Sequence, residues 1–199
     1  MISLRLARES DAPALLDVYR PYVLETAVTF ETEVPTEAEF ARRIREISRD
    51  FPYLVAEEGG QVLGYAYAHA FHTRAAYRWT AETSIYLRQD VRGRGVGRTL
   101  YTALLRLLTD QGIRRAVAVV TLPGEQSVGF HRRLGFDLVG CLPGAGYKCG
   151  RWWDMGYLSL ALGEDGPPEE VTPFPVLLRE KAQNPTDFLK VFLANPRET

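Results

Sequence analysis

A chain of 199 residues is about one domain's worth of sequence, with ample length for a sizeable core, and its 46% hydrophobic content is that of an ordinary globule. A formal net charge of −1 excludes a global field that recruits nucleic acid or an anionic membrane, and no apolar run is long enough to span a bilayer. The start, Met1-Ile2-Ser3-Leu4-Arg5, reads as a strand and not as a signal peptide, and Cys141 and Cys149 lack metal-ligand spacing; two free thiols in a reducing cytoplasm are expected.

Residues 2–7 alternate as a strand does. Ser10 or Asp11 is placed to cap a helix carrying Leu15, Leu16, Val18 and Tyr19, with Pro13 tolerated in its first turn. Val28 to Thr32 reads as a loop or short extended piece. Thr36 and Glu39 have capping-box spacing, ahead of a helix that carries Phe40, Ile44 and Ile47. Tyr53 to Glu57 and Gln61 to Phe71 flank Gly59-Gly60, a hairpin signal. A polar, aromatic stretch, His72 to Trp79, leads to the strand-like run Thr83 to Arg88. After it comes Arg92-Gly93-Arg94-Gly95-Val96-Gly97, then a helical pattern with Val96, Leu100, Leu104, Leu107 and Leu108 on one face, ending at Gly112. Ala116 to Thr121 is short enough for a buried strand. Ser127 to Leu134 reads as a short helix ending at Gly135. Phe136 to Cys141 and Trp152 to Leu162 read as closing strands with a turn-rich Pro143 to Gly150 between them. Residues 1–162 are expected to form the domain. The tail, 163–199, holds six of the 12 prolines, so a packed sheet is not expected there; Asp187 to Ala194 has the apolar stripe of one short helix. This order implies a mixed α/β sheet with helices on both faces, and ligands gathering where neighbouring central strands diverge, near the glycines.

A glycine-rich turn between strand and helix leaves backbone N–H groups bare, and the helix start adds partial positive charge, so a phosphate fits there. Three readings stand: a solvated basic turn, a nucleotide loop, or a coenzyme A pyrophosphate site. A P-loop needs Lys and then Ser/Thr after its last glycine, but Arg98 and Thr99 follow; a dinucleotide fingerprint needs G-x-G-x-x-G, but Gly93, Gly95 and Gly97 alternate.

The R-x-x-G-x-G pattern of Arg92, Gly95 and Gly97, between a strand and a helix, resembles the GNAT superfamily of N-acetyltransferases. Four further stretches resemble its phosphinothricin and methionine-sulfoximine acetyltransferases: Ala27 to Glu33, Tyr77 to Glu82, Gly129 to Phe136, and Ala145 to Lys148. The likeness runs to about Leu162 and implies a mainly antiparallel central sheet. It further implies acetyl-CoA as donor without a metal, a small amine such as an amino-acid analogue as acceptor, and a homodimer. By resemblance, the coenzyme's pyrophosphate meets the amides of Arg92, Gly93, Arg94, Gly95, Val96 and Gly97, beside Arg98 and Ser127. Its pantetheine arm lies along Ile85, Tyr86 and Leu87 as an added strand. Glu82 is the implied general base, taking a proton from an amine that is mostly protonated at neutral pH. His131 is the implied acid/base toward the departing thiolate. Phe30, Arg74, Tyr77 and Tyr86 are implied at the acceptor, with Arg74 as bidentate carboxylate partner. A backbone N–H near Tyr86 or Leu87 is the natural oxyanion donor. His69 and His72 read as ordinary strand and loop residues. No residue is set up as a covalent nucleophile, so direct transfer is expected. Two positions depart from the pattern. Gly124 stands where the family often has Asn, and His72 where phosphinothricin enzymes carry Lys, which argues against phosphinothricin resistance as the main role. A protein or peptide acetyltransferase, or an acyl-CoA sensor without turnover, are the rival readings.

Overall fold

The computed structural model describes residues 2–91, 93–164 and 166–181. In chain order the elements are β1 (Ser3–Leu6), α1 (Ala12–Glu25), α2 (Glu37–Ile47), β2 (Tyr53–Glu58), β3 (Gln61–Ala70), β4 (Thr80–Leu87), α3 (Val96–Asp110), β5 (Arg115–Leu122), α4 (Glu125–Arg132), β6 (Asp137–Lys148), β7 (Arg151–Ala161) and α5 (Phe174–Lys181). The strands form one seven-stranded sheet in the order β1-β2-β3-β4-β5-β7-β6. β4 and β5 pair in parallel; the other neighbours are antiparallel.

Strand alternation splits the core into two layers. Leu54, Ala56, Ala66, Ala68 and Ala81 face α3, whose Leu100, Leu104, Leu107 and Leu108 are fully buried against them. Tyr53, Val55 and Tyr65 face α1 and α2 on the other side. Gly59 and Gly60, at φ of 58° and 81°, make the two-residue turn between β2 and β3, because both positions need left-handed backbone.

Several local expectations change at their edges. Asp11 sits at the N-cap of α1 but does not cap it. Its carboxylate takes the Arg8 amide at 2.7 Å and the Arg5 guanidinium at 2.6 and 2.9 Å instead. α1 also runs through Pro21 to Glu25. An interior proline costs about 3 kcal/mol, but burial of Tyr19, Tyr22 and Val23 returns roughly 1.5–3 kcal/mol each. Only half of the capping box forms: the Thr36 hydroxyl accepts the Glu39 amide at 3.2 Å, while the Glu39 carboxylate is held by Arg42 and Arg43.

The stretch Pro143 to Gly150 is not a loop. β6 continues to Lys148, and a bulge between Leu142 and Gly146 absorbs Pro143 and Gly144. The turn is only Cys149-Gly150, at φ of 52° and 78°. The sequence shows the prolines and glycines of a turn, but a bulge tolerates the same residues.

In the tail, the expected helix at 187–194 lies outside the described residues. Instead α5 forms at Phe174–Lys181, with Pro175 in its first turn, where a missing N–H costs nothing. Phe174 and Leu177 are each only 3% exposed, so this helix belongs to the α3-side core. The chain before it is tied down as well: the Trp79 indole donates to Glu169 O at 2.7 Å, and the Thr172 amide to Gln111 O at 2.9 Å. Among the described residues no helix is long and apolar enough to cross a membrane.

Candidate active site

β4 and β5 are paired only at Thr80↔Arg115, Ala81↔Ala116 and Glu82↔Val117. Beyond Glu82 the strands part, and residues 83–87 of β4 face 118–121 of β5 across a cleft of about 1040 Å³. A parted parallel pair leaves backbone donors and acceptors without a strand to meet, so an extended ligand can add there by main-chain hydrogen bonds.

The glycine loop closes one end. Gly93 and Gly95 lie at φ of 79° and 80°, and a Cβ at either would meet nothing within 4 Å. They are glycines for backbone conformation, which turns the amides outward, and not for lack of room. Gly97 is a packing glycine: a Cβ there would stand 3.1 Å from Leu87 Cδ1. Gly95 is the N-cap of α3 and no side chain caps it, leaving the first-turn amides open to an anion.

Most of the charged side chains described around the loop are engaged away from it. Arg92 lies outside the described residues. Arg94 is turned away to Glu58 at 2.5 Å, Arg88 is paired with Asp90 at 2.7 Å, and Val96 is buried in the core. Arg94 and Val96 can therefore serve a ligand only through their backbone. Arg98 does line the cleft, as do Gly93, Gly95, Gly97, Ile85, Tyr86, Leu87 and Ser127, and Arg133 joins them without having been foreseen. Gly124, the departure from the family pattern, is explained by space: a Cβ there would come 2.3 Å from the Thr121 carbonyl.

Glu82 stands at the last paired position before the strands part. Its side chain is 27% exposed, and His69 stands directly across β3–β4, with Nε2 3.8 Å from the carboxylate. The His69 Nδ1 is 3.0 Å from the Ala70 carbonyl, so that nitrogen carries the hydrogen and Nε2 is left toward Glu82. From sequence His69 is an ordinary strand residue; pairing register, which sequence spacing does not reveal, is what makes it Glu82's neighbour. The Trp79 indole, three positions before Glu82, is engaged by the tail.

By alternation Thr83 points to the opposite face, toward α3. Its hydroxyl meets the Tyr101 hydroxyl at 2.6 Å and donates to Val117 O at 3.0 Å; Tyr101 in turn meets His131 Nε2 at 2.9 Å, and His131 Nδ1 meets Ser127 O at 2.8 Å. His131 lines the cleft but is 4% exposed, and burial holds its imidazole below the ordinary value against the opposing pull of the Ser127 carbonyl. Glu82 and His131 thus sit on opposite faces of the same splay.

The expected acceptor residues are not all brought together. Tyr86 lines the cleft, its phenol pushed well up by burial among Tyr19, Tyr22 and Tyr65. Arg74 and Tyr77 lie on the turn between β3 and β4, outside the cleft walls, and Arg74 has no ion-pair partner among the described residues. His72 meets the Phe71 ring at a tilt and the Tyr77 ring edge-on, at centroid distances of 4.2 and 4.8 Å. Phe30 packs its ring on Gly146, where a Cβ would come within 2.3 Å of it. Its loop is pinned at three further points: the Thr121 hydroxyl donates to Ala27 O at 2.5 Å, Tyr19 and Thr29 share a hydrogen bond of 2.7 Å, and the buried Lys148 ammonium donates to Thr29 O at 2.8 Å. Burial pushes that Lys148 ammonium below its ordinary range and the Tyr19 phenol up to about 12. Sequence spacing gave no sign of Lys148 as a clamp, since its partner lies 119 positions away.

Residues 4–157 match the acetyltransferase (GNAT) domain family. The chain is 37% identical over 172 residues to a phosphinothricin N-acetyltransferase of Streptomyces viridochromogenes, covering 86% of this chain and 94% of that protein. It is 38% identical over 165 residues to an L-methionine sulfoximine/L-methionine sulfone acetyltransferase of Pseudomonas aeruginosa, covering 80% of this chain and 94% of the relative. Among solved structures it is similar to a GNAT superfamily phosphinothricin acetyltransferase from Sinorhizobium meliloti in complex with AcCoA, with a TM-score of 0.82 and 40% identity over 88% of this chain and 98% of that one.

Proposed function

The chain belongs to the GNAT acetyltransferase family, and from that premise we propose that it moves the acetyl group of acetyl-CoA directly onto the α-amine of a small amino acid or amino-acid analogue. The observation that carries this reading is the parting of β4 from β5 beside a loop of left-handed glycines. In it the pyrophosphate rests on the amides of residues 93–97 with Arg98 alongside, and the pantetheine lies along Ile85 to Leu87. The thioester is thereby delivered to the end of the splay, where Glu82 and His131 stand. Glu82 takes the proton from the acceptor ammonium, freeing the nitrogen lone pair for attack. Neither cysteine lines the cleft, which fits attack by the amine itself and no acyl-enzyme. The acceptor approaches from the α1–α2 side, where Tyr86 and the pinned Phe30 loop form a wall; Arg74, carried by the β3–β4 turn outside the cleft walls, is the cation proposed for its carboxylate. Purified protein is expected to consume acetyl-CoA with methionine sulfoximine, methionine sulfone, a phosphinate analogue or standard amino acids, with intersecting initial-velocity lines. Binding of CoA with no turnover on any amine would make the protein a sensor instead, and turnover only on peptides would make it a protein acetyltransferase.

The same reading includes a homodimer. The β6–β7 hairpin is a sheet edge, and it exposes Val139 at 65%, Leu142 at 52%, Tyr147 at 60% and Trp152 at 67%. The Tyr147 and Trp152 rings meet at 5.5 Å, and exposed apolar side chains of this kind suit the surface of a second copy. Sedimentation is expected to give a dimer that Trp152→Glu dissociates; a wild-type monomer at micromolar concentration removes this part of the proposal.

A further inference from the structure

The buried hydrogen bonds around His131 form one continuous chain. Four contacts run in series: Val117 O, Thr83 Oγ1, Tyr101 OH, His131 Nε2, and from His131 Nδ1 to Ser127 O. Both ends are backbone carbonyls, which only accept. Nδ1 must therefore carry a hydrogen, and in a neutral imidazole Nε2 is then a bare acceptor. The neutral series has three hydrogens for four contacts: one on Nδ1, one on Tyr101 and one on Thr83. One added proton completes it. Nε2–H donates to Tyr101, Tyr101 donates to Thr83, and Thr83 donates to Val117 O. Burial opposes the charge, and the fourth hydrogen bond offsets part of that cost. A neutral His131 is thus wired at Nε2 to receive a proton and not to donate one.

We propose that Thr83, Tyr101 and His131 form a relay that stores one proton between amine attack and thiolate departure, with Tyr101 as its obligatory link. This deepens the acetyl-transfer reading above and rests on it. Thr83 is the relay's opening, since it and His131 both line the cleft. Converting an ammonium to an amide removes two protons from nitrogen. Glu82 takes the first to solvent. The second leaves when the tetrahedral adduct forms: the N–H bond breaks toward Thr83 Oγ1, Thr83 passes its hydrogen to Tyr101, Tyr101 passes its own to Nε2, and an Nε2–H bond forms. When the C–S bond breaks, the same series runs backward and an S–H bond forms on the departing coenzyme A. The sum of the steps leaves the relay unchanged.

The charged groups nearest this series are few. Glu82 of β4 pushes the Tyr101 phenol further up, in addition to burial, while Arg98 of α3, Glu125 of α4 and Arg133 line the cleft outside it. Around the imidazole stand the rings of Tyr101, Phe130 and Phe136, at 5.1, 5.2 and 5.3 Å. Tyr101 itself is a positioning residue as well as a link, because its hydroxyl fixes which way Nε2 faces.

Tyr101→Phe keeps the ring and removes the link. It is expected to lower kcat by about 10- to 100-fold with the KM for acetyl-CoA within about threefold and the melting temperature nearly unchanged. A structural role alone would not alter the proton count in flight. The wild type is therefore expected to show a curved proton inventory in mixed H₂O/D₂O, and Tyr101→Phe a linear one. Nitrogen-15 NMR of the free enzyme is expected to place the hydrogen of His131 on Nδ1. A Tyr101→Phe enzyme within twofold of wild type, an unchanged inventory, or the Nε2–H tautomer in an active wild type would overturn the relay while leaving acetyl transfer intact. A wild type inactive on every amine would overturn both.

Discussion

Glu82→Gln is expected to lower kcat/KM for the best amine acceptor by about 10²- to 10⁴-fold, the range of a lost general base, while leaving the KM for acetyl-CoA near its wild-type value. The amide is isosteric with the carboxylate, so the β4 register and the splay beyond Glu82↔Val117 persist. What is lost is the ability to remove a proton from an acceptor that is almost fully protonated at neutral pH. The position matters as much as the charge. Glu82 faces its cross-strand neighbour His69 on β3 and makes the last β4–β5 pair with Val117, so its backbone is fixed where the strands open. Steady-state rates across pH make the comparison decisive. A missing base is felt most where the amine is protonated, so the deficit of Glu82→Gln should shrink as pH rises toward the acceptor's own pKa. A deficit that stays constant with pH, or one of less than about threefold, would remove Glu82 from the chemistry.

The second large effect is expected at Gly95. Gly95→Val puts a β-branched residue at φ of 80°, where left-handed backbone costs a non-glycine roughly 1–2 kcal/mol. Relief of that strain rotates the amides away from the anion, and each charge-assisted hydrogen bond lost is worth about 1.5–3 kcal/mol. Loss of two such bonds weakens coenzyme A binding by more than 100-fold, since 1.4 kcal/mol is a factor of ten. Strain alone is controlled by Gly60→Val, which places the same residue at φ of 81° in the β2–β3 turn with open space around it. Both variants should lose similar stability. Only Gly95→Val should lose affinity in a calorimetric titration with coenzyme A. Equal affinity in the two variants would mean that the loop does not hold the pyrophosphate.

The residues that were legible in the sequence are those whose role is local. Gly93 and Gly95 announce a left-handed turn ahead of a helix, and the apolar stripe of α3 announces the face that covers the sheet. The Gly59-Gly60 pair marks its hairpin for the same reason. What stayed hidden depends on long-range pairing. His69 becomes a site residue only through antiparallel register with Glu82. Thr83, Tyr101 and His131 meet across 18 and 30 positions of chain, and Lys148 reaches Thr29 across 119. Pro143 and Gly144 carry the composition of a turn, yet sit in a bulge within β6: a bulge tolerates a proline that cannot donate to the ladder and a glycine such as Gly144 at φ of 58°. α5 went unseen because prolines at 173 and 175 mask a helix whose stability comes from burying Phe174 and Leu177 and not from intrinsic propensity.

The most direct measurement is a crystal structure of the protein with coenzyme A bound. The expected result is density for the pyrophosphate on the amides of residues 93–97 and for the pantetheine between β4 and β5, with its sulfur beside Thr83 and within reach of Glu82. Density elsewhere on the surface, or an empty splay at saturating coenzyme, would contradict the account.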